Sequence, residues 1–370
     1  RSGLLQSVHT FSESPLGKYF LPILGFLVVG AFGLLGWRYE RLRAHRHLES
    51  MLSREAMFLY NNLLFVAIAF TVLWGTLYPI LVEAVRGAKI SVGPPYFNSV
   101  VGPLGLSLLG LTGLGPLVAW RRASGKGLAR QVATPLAAGA SVMGVLALGG
   151  IRSGGALLAL GLCVFSAAAI LGEFFRGAKA HRSVERLGWL GALRRVIGRN
   201  RRRYGGYIVH LGVILIFLGL AGAAFRLSWT GTLEVGETFR IGPYSLRYLE
   251  PRVYSDEEKM VMMAVMEVSR GDRRVGTLRP QRNFHFAQRQ GQSEIGLRTT
   301  LSEDLYLAVT GIDRSQAVTL RAWVNPLVVW IWIGGAVMAA GMVVILSGKP
   351  PVEIPPPARA RTPVKVTVTA

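Results

Sequence analysis

The sequence predicts a polytopic α-helical membrane protein of about seven transmembrane helices, with one β-rich domain inserted between the last two. Of its 370 residues, 51% are hydrophobic and 17% are charged, and the mean hydropathy is +0.39. This composition is typical of membrane proteins rather than soluble domains. Apolar runs long enough to cross a bilayer recur along the chain, and a polar stretch, 226–321, separates the last two. That stretch consists of short alternating runs bounded by Gly, Pro and Asp, which favours strands.

The apolar runs divide the chain into five parts. The expected spans are 19–37, 57–82, 99–120, 131–149, 154–174, 204–225 and 323–346. The parts are an external segment 1–18, a six-helix transmembrane region 19–225, an external β-barrel or sandwich 226–322, a last transmembrane helix 323–347 and a tail 348–370. The proline-rich tail is predicted to be disordered and cytoplasmic. Because the first residue is Arg and no signal peptide precedes the first span, we expect a part of a longer protein or a processed product.

Basic residues predict the orientation of the helices. Outside the polar stretch, most Lys and Arg lie in the loops 38–56, 121–130 and 176–203 and in the tail. The opposite side carries only Arg1, Lys18, Arg86, Lys89 and Arg152. Since positive loops stay in the cytoplasm, the N-terminus and the β-rich domain are expected outside and the C-terminus inside. The net charge of +22 is then mainly an orientation signal that also suits anionic lipids. Nucleic acid is not expected as a partner, because no aromatic residues interleave with the basic runs.

His210 is the one ionisable group inside the sixth span, about 9 Å from its cytoplasmic end. An imidazole at that depth needs a partner, and its neutral ring nitrogen is a good ligand for iron. A hydrogen bond to a neighbouring helix is an equally good interpretation from the residues alone. His210 is therefore a candidate ligand or a structural residue. Cys163 is the only cysteine, so a disulfide or a cysteine metal cluster within the chain is excluded.

Other polar residues are weaker candidates. His9 lies in the outer segment beside the first span, where a functional role is open, whereas His45, His47, His181 and His285 are interpreted as solvated loop or surface residues. Asn61, Asn62, Glu83 and Glu173 lie in or beside spans and are interpreted first as structural. They could also bind propionates or a quinone, and the sequence does not decide between these roles. The role of the VGPPYFN segment stays equally open.

Six strings in the chain resemble, in the same order, the CcmF-type cytochrome c haem lyase family. They are RSGLLQSVHTFSESP, SREAMFLYNNLLF, GTLYPILVEAVRGAKISVGPPYFN, RRRYGGYIVHLGV, IGLRTTLSEDLYLAV and WVNPLVVWIWIGG. The resemblance covers essentially all 370 residues apart from the tail. The lyase-like subunit dedicated to multihaem nitrite reductase assembly would look similar, and both remain possible identities at this point.

The resemblance implies a function in cytochrome c maturation at the bacterial inner (plasma) membrane. Such proteins attach haem to the CxxCH motif of an exported apocytochrome c, through thioethers between haem vinyls and cysteine thiols. Haem arrives on a CcmE-type chaperone, and a thiol-handling CcmH-type partner presents the apocytochrome. Two helix histidines hold a permanent haem b, and His210 matches one of them. Two external histidines hold the substrate haem, and His9 matches the second, with the catalytic role of positioning that haem. Quinol is a further expected partner, as a source of electrons.

The chain also departs from the family pattern. The tryptophan-rich haem-handling segment, the first external histidine and the other haem b histidine precede the SVHTF motif in the family, and the 370 residues do not contain them. We therefore expect the chain to hold half of each haem site and to need the N-terminal part of the same lyase.

Two other functions compete with a haem lyase. A membrane transporter of haem or another anion would need broken helices and internal repeats, and only Pro79 and Pro116 suggest breaks. A scaffold of the maturation complex would need no ligand at all, and it would leave His210 as a structural residue.

Overall fold

The structure, a computed structural model, describes residues 17–43, 48, 50–118, 125–287 and 290–348. The described part contains a helical region and a β-rich region inserted before the last helix. The helices are α1 (Gly17–Trp37), α2 (Tyr39–Leu42), α3 (Arg54–Arg86), α4 (Pro94–Leu114), α5 (Gly125–Leu148), α6 (Gly154–Glu185), α7 (Trp189–Arg199), α8 (Arg201–Ala221) and α9 (Val329–Leu346). Short 3₁₀ turns follow α4 and α8, at Gly115–Leu117 and Gly222–Phe225.

Six of the described helices, α3, α4, α5, α6, α8 and α9, are long and apolar enough to cross a membrane. The remaining expected span, 19–37, corresponds to α1, whose apolar part Pro22–Trp37 is shorter than the other six. Two of the helices begin at residues that favour a helix N-terminus. Ser53 accepts a hydrogen bond from the Ala56 amide at 3.1 Å at the start of α3. A proline begins α4, where its missing amide hydrogen costs nothing.

Two expected loops contain helix instead. The VGPPYFN motif was expected in a loop, but α4 begins at its first proline, Pro94, so most of the motif forms the first turn of a helix. The basic stretch 176–203 was also expected as a loop, but α6 continues to Glu185 and the amphipathic helix α7 follows. Ala192 and Val196 on α7 are buried against the helical core, and its arginines face outward. Only the apolar positions of α7 spaced by three or four residues would have indicated this helix.

Glycines set the distance between α8 and α9. Gly205, Gly212 and Gly219 recur every seven residues on one face of α8, and Gly334 and Gly341 recur in the same way on α9. A Cβ atom built on Gly212 would lie 2.6 Å from the carbonyl oxygen of Gly334, and one on Gly334 would lie 2.6 Å from that of Gly212. The two backbones are therefore in direct contact, as small residues allow in membrane helices. The sequence interpretation missed this repeat.

The β-rich region is a sandwich of two antiparallel sheets. One sheet has the order β1–β10–β9–β8, and the other has the order β2–β3–β4–β6–β7, with β5 also paired to β4. The strands are β1 (Leu227–Leu233), β2 (Thr238–Ile241), β3 (Tyr244–Ser255), β4 (Lys259–Arg270), β5 (Arg273–Leu278), β6 (Gln281–His285), β7 (Gln290–Glu294), β8 (Gly296–Thr299), β9 (Glu303–Ile312) and β10 (Val318–Pro326). Of the barrel and the sandwich that the alternation allowed, the chain forms the sandwich.

Alternating apolar residues of the two sheets meet in one core. Tyr244, Leu246 and Tyr248 of β3 pack there against Leu305 and Leu307 of β9, and all five are fully buried or nearly so. The Tyr248 hydroxyl donates to the Gln316 carbonyl at 3.0 Å. Burial raises the pKa of Tyr248 to about 12, and the nearby charge of Asp313 adds to the shift. The tyrosine is therefore neutral and serves the core with its ring and one hydrogen bond.

The last strand is longer than expected. The apolar span was expected to begin at Trp323, but residues Trp323 to Pro326 pair with β9. The Leu327 amide then donates to the Ser302 carbonyl at 2.9 Å, and Leu327 adopts a positive φ of 62° that turns the chain into α9. The apolar side chains misled the sequence interpretation because Trp323 and Val324 satisfy both a strand and a span. The β-sandwich is thus joined directly to α8 and α9.

Candidate functional site

One face of α8 carries the polar side chains of this helix that border a cavity. Arg203, Gly206, Tyr207 and His210 follow the i, i+3, i+4, i+7 spacing that puts side chains on one side of a helix. The glycines that contact α9 lie on a different face. The functional face therefore points away from α9, toward α3 and α4.

A cavity of about 280 Å³ lies in front of this face. Residues of α3, of α4 with its 3₁₀ turn, and of α8 enclose it. They are Arg54, Met57, Phe58, Asn61, Leu111, Thr112, Gly115, Pro116, Arg203, Gly206, Tyr207 and His210. The lining combines apolar walls with an imidazole, two guanidinium groups and an amide, which is the mixture expected of a binding site for an anionic, mostly apolar ligand.

One ring nitrogen of His210 lacks a hydrogen-bond partner among the described residues. This nitrogen is Nδ1, and it is buried. A buried polar atom without a partner costs about 1–3 kcal/mol. The helix–helix hydrogen bond that the sequence left open is therefore not made by Nδ1 within the described part of the chain. Because the His210 ring also lines the cavity, His210 is the candidate ligand residue of this site.

A carboxylate of α6 holds one of the two arginines. Glu173 is 9% exposed, and its two oxygens accept from Arg176 Nη2 and Arg203 Nη2, each at 2.5 Å. Arg203 Nε also donates to the Tyr207 hydroxyl at 2.9 Å. Among the described residues its third nitrogen, Nη1, has no hydrogen-bond partner. Glu173 is thus a structural residue that also fixes Arg203 at the wall of the cavity.

The second arginine is held from the opposite side. Arg54 Nη2 donates to the Val118 carbonyl at 3.0 Å and lies 3.5 Å from the Pro116 carbonyl. Arg54 Nε is buried and has no partner among the described residues. Two guanidinium groups therefore enter the cavity from α3 and α8, each with a nitrogen that can still donate.

The other candidates lie elsewhere. His9, His45 and His47 lie outside the described residues. His181 contacts Glu185 at 3.4 Å, and His285 lies on β6, far along the chain from the cavity. Glu83 contacts Lys89 at 3.9 Å near the end of α3. Asn61 lines the cavity, whereas its neighbour Asn62 is exposed.

VGPPYFN borders a separate cavity. That cavity is about 520 Å³ in volume, and it is lined by Trp74, Gly75, Tyr78, Ser91, Val92, Gly93, Pro95 and Tyr96. Tyr96 also donates to the Thr71 carbonyl at 3.4 Å, which joins α4 to α3. The motif therefore has at least a packing role at the end of the helices opposite the His210 cavity.

Sequence reasoning missed most of the cavity. Arg54 and Arg203 were counted as loop charges that set the orientation, and Tyr207 and Thr112 were not considered. The spacing of Arg203, Tyr207 and His210 on one helix face was a signal that could have found two of them. Arg54 lies far away in the sequence, and only the tertiary structure brings it to the site.

Comparisons with known proteins agree with the fold. The model of the CcmF C-terminal beta-sandwich matches residues 224–326. The cytochrome c-type biogenesis protein CycK of Rhizobium meliloti is 33% identical over 98% of this chain and 53% of its own length. CcmF of Pseudomonas aeruginosa is 31% identical over 92% of this chain and 51% of its own length. NrfE of Haemophilus influenzae is 25% identical over 92% of this chain and 52% of its own length.

A solved structure supports the same relationship. The structure named Cytochrome c Heme Lyase CcmF superposes with a TM-score of 0.71 and 30% identity, covering 91% of this chain and 51% of that one. The chain spans about half the length of the curated relatives that it matches. Over that half the likeness extends through the helices as well as the β-sandwich. The chain belongs to the CcmF family of cytochrome c-type biogenesis proteins.

Proposed function

We propose that this chain is part of a haem lyase of cytochrome c maturation and that the His210 cavity holds a haem b. The printed names of the relatives, cytochrome c-type biogenesis protein and Cytochrome c Heme Lyase CcmF, support the activity. The observation that carries the site is the unpartnered Nδ1 of His210 in a cavity of a membrane helix bundle. Nothing favours a transporter or a ligand-free scaffold over this function.

The residues of the cavity fit a haem. His210 would supply a nitrogen ligand to the iron, and the apolar side chains of Met57, Phe58 and Leu111 would line the space for the porphyrin. A bound haem b supplies one-electron chemistry, with a potential set by its axial ligands and the low dielectric around it. Among the described residues the cavity contains no second histidine. We propose that the second axial ligand comes from a part of the lyase outside the described residues.

The two arginines fit the haem carboxylates. A haem carries both propionates on one edge, and guanidinium groups bind carboxylates through paired hydrogen bonds. Arg54 and Arg203 enter the cavity from two helices, and each keeps a nitrogen that can donate. Glu173 and Tyr207 hold the Arg203 side chain, which limits the entropy lost when it binds. We propose that these arginines orient the haem plane relative to His210.

His9 has a different proposed role. It would bind the substrate haem on the outer side and fix the haem vinyls beside the thiols of the CxxCH motif, which is a positioning role. Each thioether then forms when a thiol adds across a vinyl double bond, with its proton moving to the vinyl carbon. The proposed partners are apocytochrome c, a CcmE-type haem chaperone, a CcmH-type thiol-handling protein and the N-terminal part of the same lyase, with quinol as electron donor.

The proposed location is the bacterial inner membrane, with the β-sandwich on the periplasmic side. The support is the charge pattern, because α7 and the flanks of α5, α6 and α8 at one end of the bundle are rich in arginine. The His210 cavity lies nearer that basic end of α8, and the β-sandwich extends from the opposite end. The proposed haem b site and the proposed docking side of the apocytochrome would thus lie toward opposite ends of the bundle.

The test is optical, on the protein purified with its native partner chains. We expect His210→Ala to remove the Soret band of the b-type haem, and His181→Ala to leave it unchanged. Protohaem should bind wild-type protein more tightly than its dimethyl ester, in which both carboxylates are blocked. The double variant Arg54→Gln/Arg203→Gln should bind the two equally. An unchanged Soret band in His210→Ala would remove His210 from the site.

A further inference from the structure

We propose that the end of the β-sandwich nearest the membrane helices binds the phosphodiester headgroups of anionic lipids. The site is a cavity of about 400 Å³ lined by Val275 and four arginines. We call the four arginines, Arg270, Arg273, Arg274 and Arg298, the arginine rim. This inference concerns a surface that the proposed haem sites do not use, so it stands or falls independently of them.

Strand direction puts the arginine rim at the membrane end of the sandwich. β1 starts directly after the 3₁₀ turn that follows α8, and β10 ends at Pro326, three residues before α9. Glu303 is the register partner of Pro326, and its Oε1 lies 3.2 Å from Arg270 Nη2. The β4–β5 hairpin turn, which follows Arg270 and precedes Arg273, is therefore at the same end as the two chain crossings into the helices.

The charges of the rim are only partly neutralised. Arg270 is paired with Glu303, and Arg274 Nε lies 2.8 Å from Glu267 Oε1. Arg298 Nη1 donates to the Val275 carbonyl at 3.1 Å, and its buried Nε has no partner among the described residues. The Arg273 backbone pairs with Arg270 in the β4–β5 ladder, but its side chain has no hydrogen bond or ion pair to a described residue. Two guanidinium groups thus remain available, although the Asp272 carboxylate lies beside them on the hairpin turn.

The opposite end of the sandwich has the opposite character. The β3–β4 turn contains Asp256, Glu257 and Glu258, and the β9–β10 turn contains Asp313. Hydrogen bonds from the Lys259 and Glu258 amides lower the pKa of Asp256. The Ser315 hydroxyl, and after it the Ala317 and Ser315 amides, lower the pKa of Asp313. Both are therefore anionic at neutral pH. The domain is nearly balanced in charge as a whole but has its arginine cavity on the side that faces the bilayer.

Apolar side chains accompany the arginine rim at this end. Leu301, at the tip of the β8–β9 turn, is 67% exposed, and its carbonyl accepts from Trp330 Nε1 at 2.9 Å. Trp332, on the first turn of α9, is 76% exposed. Trp is enriched at the level of lipid headgroups, and arginine binds phosphate through paired hydrogen bonds. Cations beside an apolar tip match a lipid, whose phosphate lies next to its acyl chains, better than a soluble anion.

The test uses the full chain in lipid nanodiscs, made of phosphatidylcholine alone or mixed with phosphatidylglycerol. Amide hydrogen exchange is measured in the β4–β5 hairpin and in the β8–β9 turn. We expect slower exchange of both segments in discs that contain phosphatidylglycerol. In Arg273→Gln, the factor by which phosphatidylglycerol slows exchange should be smaller by on the order of fivefold, which is the effect of one arginine at a membrane surface. Arg273 is suitable because its side chain has no hydrogen bond or ion pair to a described residue that the substitution would remove.

Arg314→Gln is the matched control, because it removes the same charge from the turn between β9 and β10 at the far end. It should leave the protection unchanged, and exchange of the β9 core reports whether each variant is folded. Equal exchange in the two disc types would overturn the proposal. So would equal protection by inorganic phosphate in detergent, since the cavity would then be a site for soluble anions.

Discussion

The helical region and the β-sandwich bury their side chains in opposite ways. The sandwich has a closed core, in which Leu246, Leu307 and Leu320 are fully buried. In the helical region, by contrast, long apolar side chains such as Phe65 and Phe70 on α3 are more than half exposed. The sandwich needs nothing from its surroundings to satisfy its core, whereas the helices are built to be covered by lipid, by other chains or by a ligand.

Buried polar groups without a hydrogen-bond partner occur in both regions. Tyr248 in the sandwich core has a hydrogen-bond partner within its own domain. His210 Nδ1 and Arg54 Nε in the helices have none among the described residues. In the sandwich, Tyr244 Oη, Arg298 Nε and Asp304 Oδ1 also lack a hydrogen-bond partner among the described residues. What distinguishes His210 and Arg54 is that both line one cavity among the helices. Four changes, from the largest expected effect to the smallest, can break or sharpen this comparison.

The largest effect is expected in the closed core. Leu307→Ala removes a fully buried side chain and should lower the free energy of unfolding of the sandwich by about 3 kcal/mol, within the range for large core deletions. Val253→Ala, at an exposed site of β3, should change it by less than about 0.5 kcal/mol. Thermal unfolding followed by amide exchange of β9 measures both. A loss of haem binding in Leu307→Ala without unfolding of the sandwich would contradict the independence of the two regions.

The second effect concerns the backbone contact in the membrane. Gly334→Ala places a methyl group 2.6 Å from the Gly212 carbonyl oxygen and should destabilise the α8–α9 pair by about 2 kcal/mol. Gly335→Ala adds the same methyl group where nothing lies within 4 Å, so it should be neutral or stabilising. Thermal unfolding in detergent compares the two variants. Equal stability would mean that the helices are further apart than the structure has them.

The third effect tests whether a buried charge in the helices serves a ligand. Glu173→Gln leaves Arg203 without its carboxylate partner, so the side chain is no longer fixed at the cavity wall. We expect the preference for protohaem over its dimethyl ester to fall by about tenfold, or about 1.4 kcal/mol. Glu185→Gln removes a carboxylate of the same helix that pairs with Arg195 and should leave the preference unaltered. A change in thermal stability alone would restrict Glu173 to a structural role.

The smallest effect tests one of the buried polar atoms of the sandwich that lack a hydrogen-bond partner among the described residues. Burial raises the pKa of Asp304, more than the hydrogen bond with Thr299 lowers it, and Oδ1 has no partner among the described residues. Because the folded state binds the proton more tightly than the unfolded state, ionised Asp304 destabilises the sandwich. That penalty grows as pH rises through the shifted pKa and disappears below the ordinary Asp value of about 3.9.

Asp304→Asn should therefore raise the free energy of unfolding by about 1 kcal/mol at pH 7. The gain should shrink as the pH falls toward about 4. Unfolding of the variant and the wild type is compared at each pH, so that the opposite contributions of Asp256 and Asp313 cancel. A gain that is independent of pH would mean that the amide simply packs better than the carboxyl group.

Much of the fold follows from the sequence because hydrophobic length and period are local properties. The apolar runs predicted the membrane helices, and the alternation between Leu227 and Leu320 predicted strands. The boundary at Trp323 was wrong because the same residues suit both a strand and a span. The prediction of a loop at VGPPYFN was wrong because, in a sequence, a proline that begins a helix resembles a proline in a turn.

The site was less predictable, since it depends on which helices meet. His210 was visible as the only histidine, acid or base in its span, and the cavity beside it agrees with a ligand role. The pairing of Glu173 with Arg203 joins residues 30 positions apart, and Arg54 meets Arg203 across an even longer interval. No local pattern encodes such contacts, so charges that set orientation could not be separated from charges that line a cavity.

The direct contact between α8 and α9 has a mechanical consequence. A Cβ on Gly222, at the last turn before β1, would overlap the Pro326 carbonyl, and the glycine repeat keeps the helices in touch from there to Gly205. Moving the end of α8 away from the start of α9 would require the two backbones to part along the glycine repeat. A protein that pulls on the sandwich would thus pull on α8 and α9 together as one unit. His210 lies on α8, so this unit includes its imidazole.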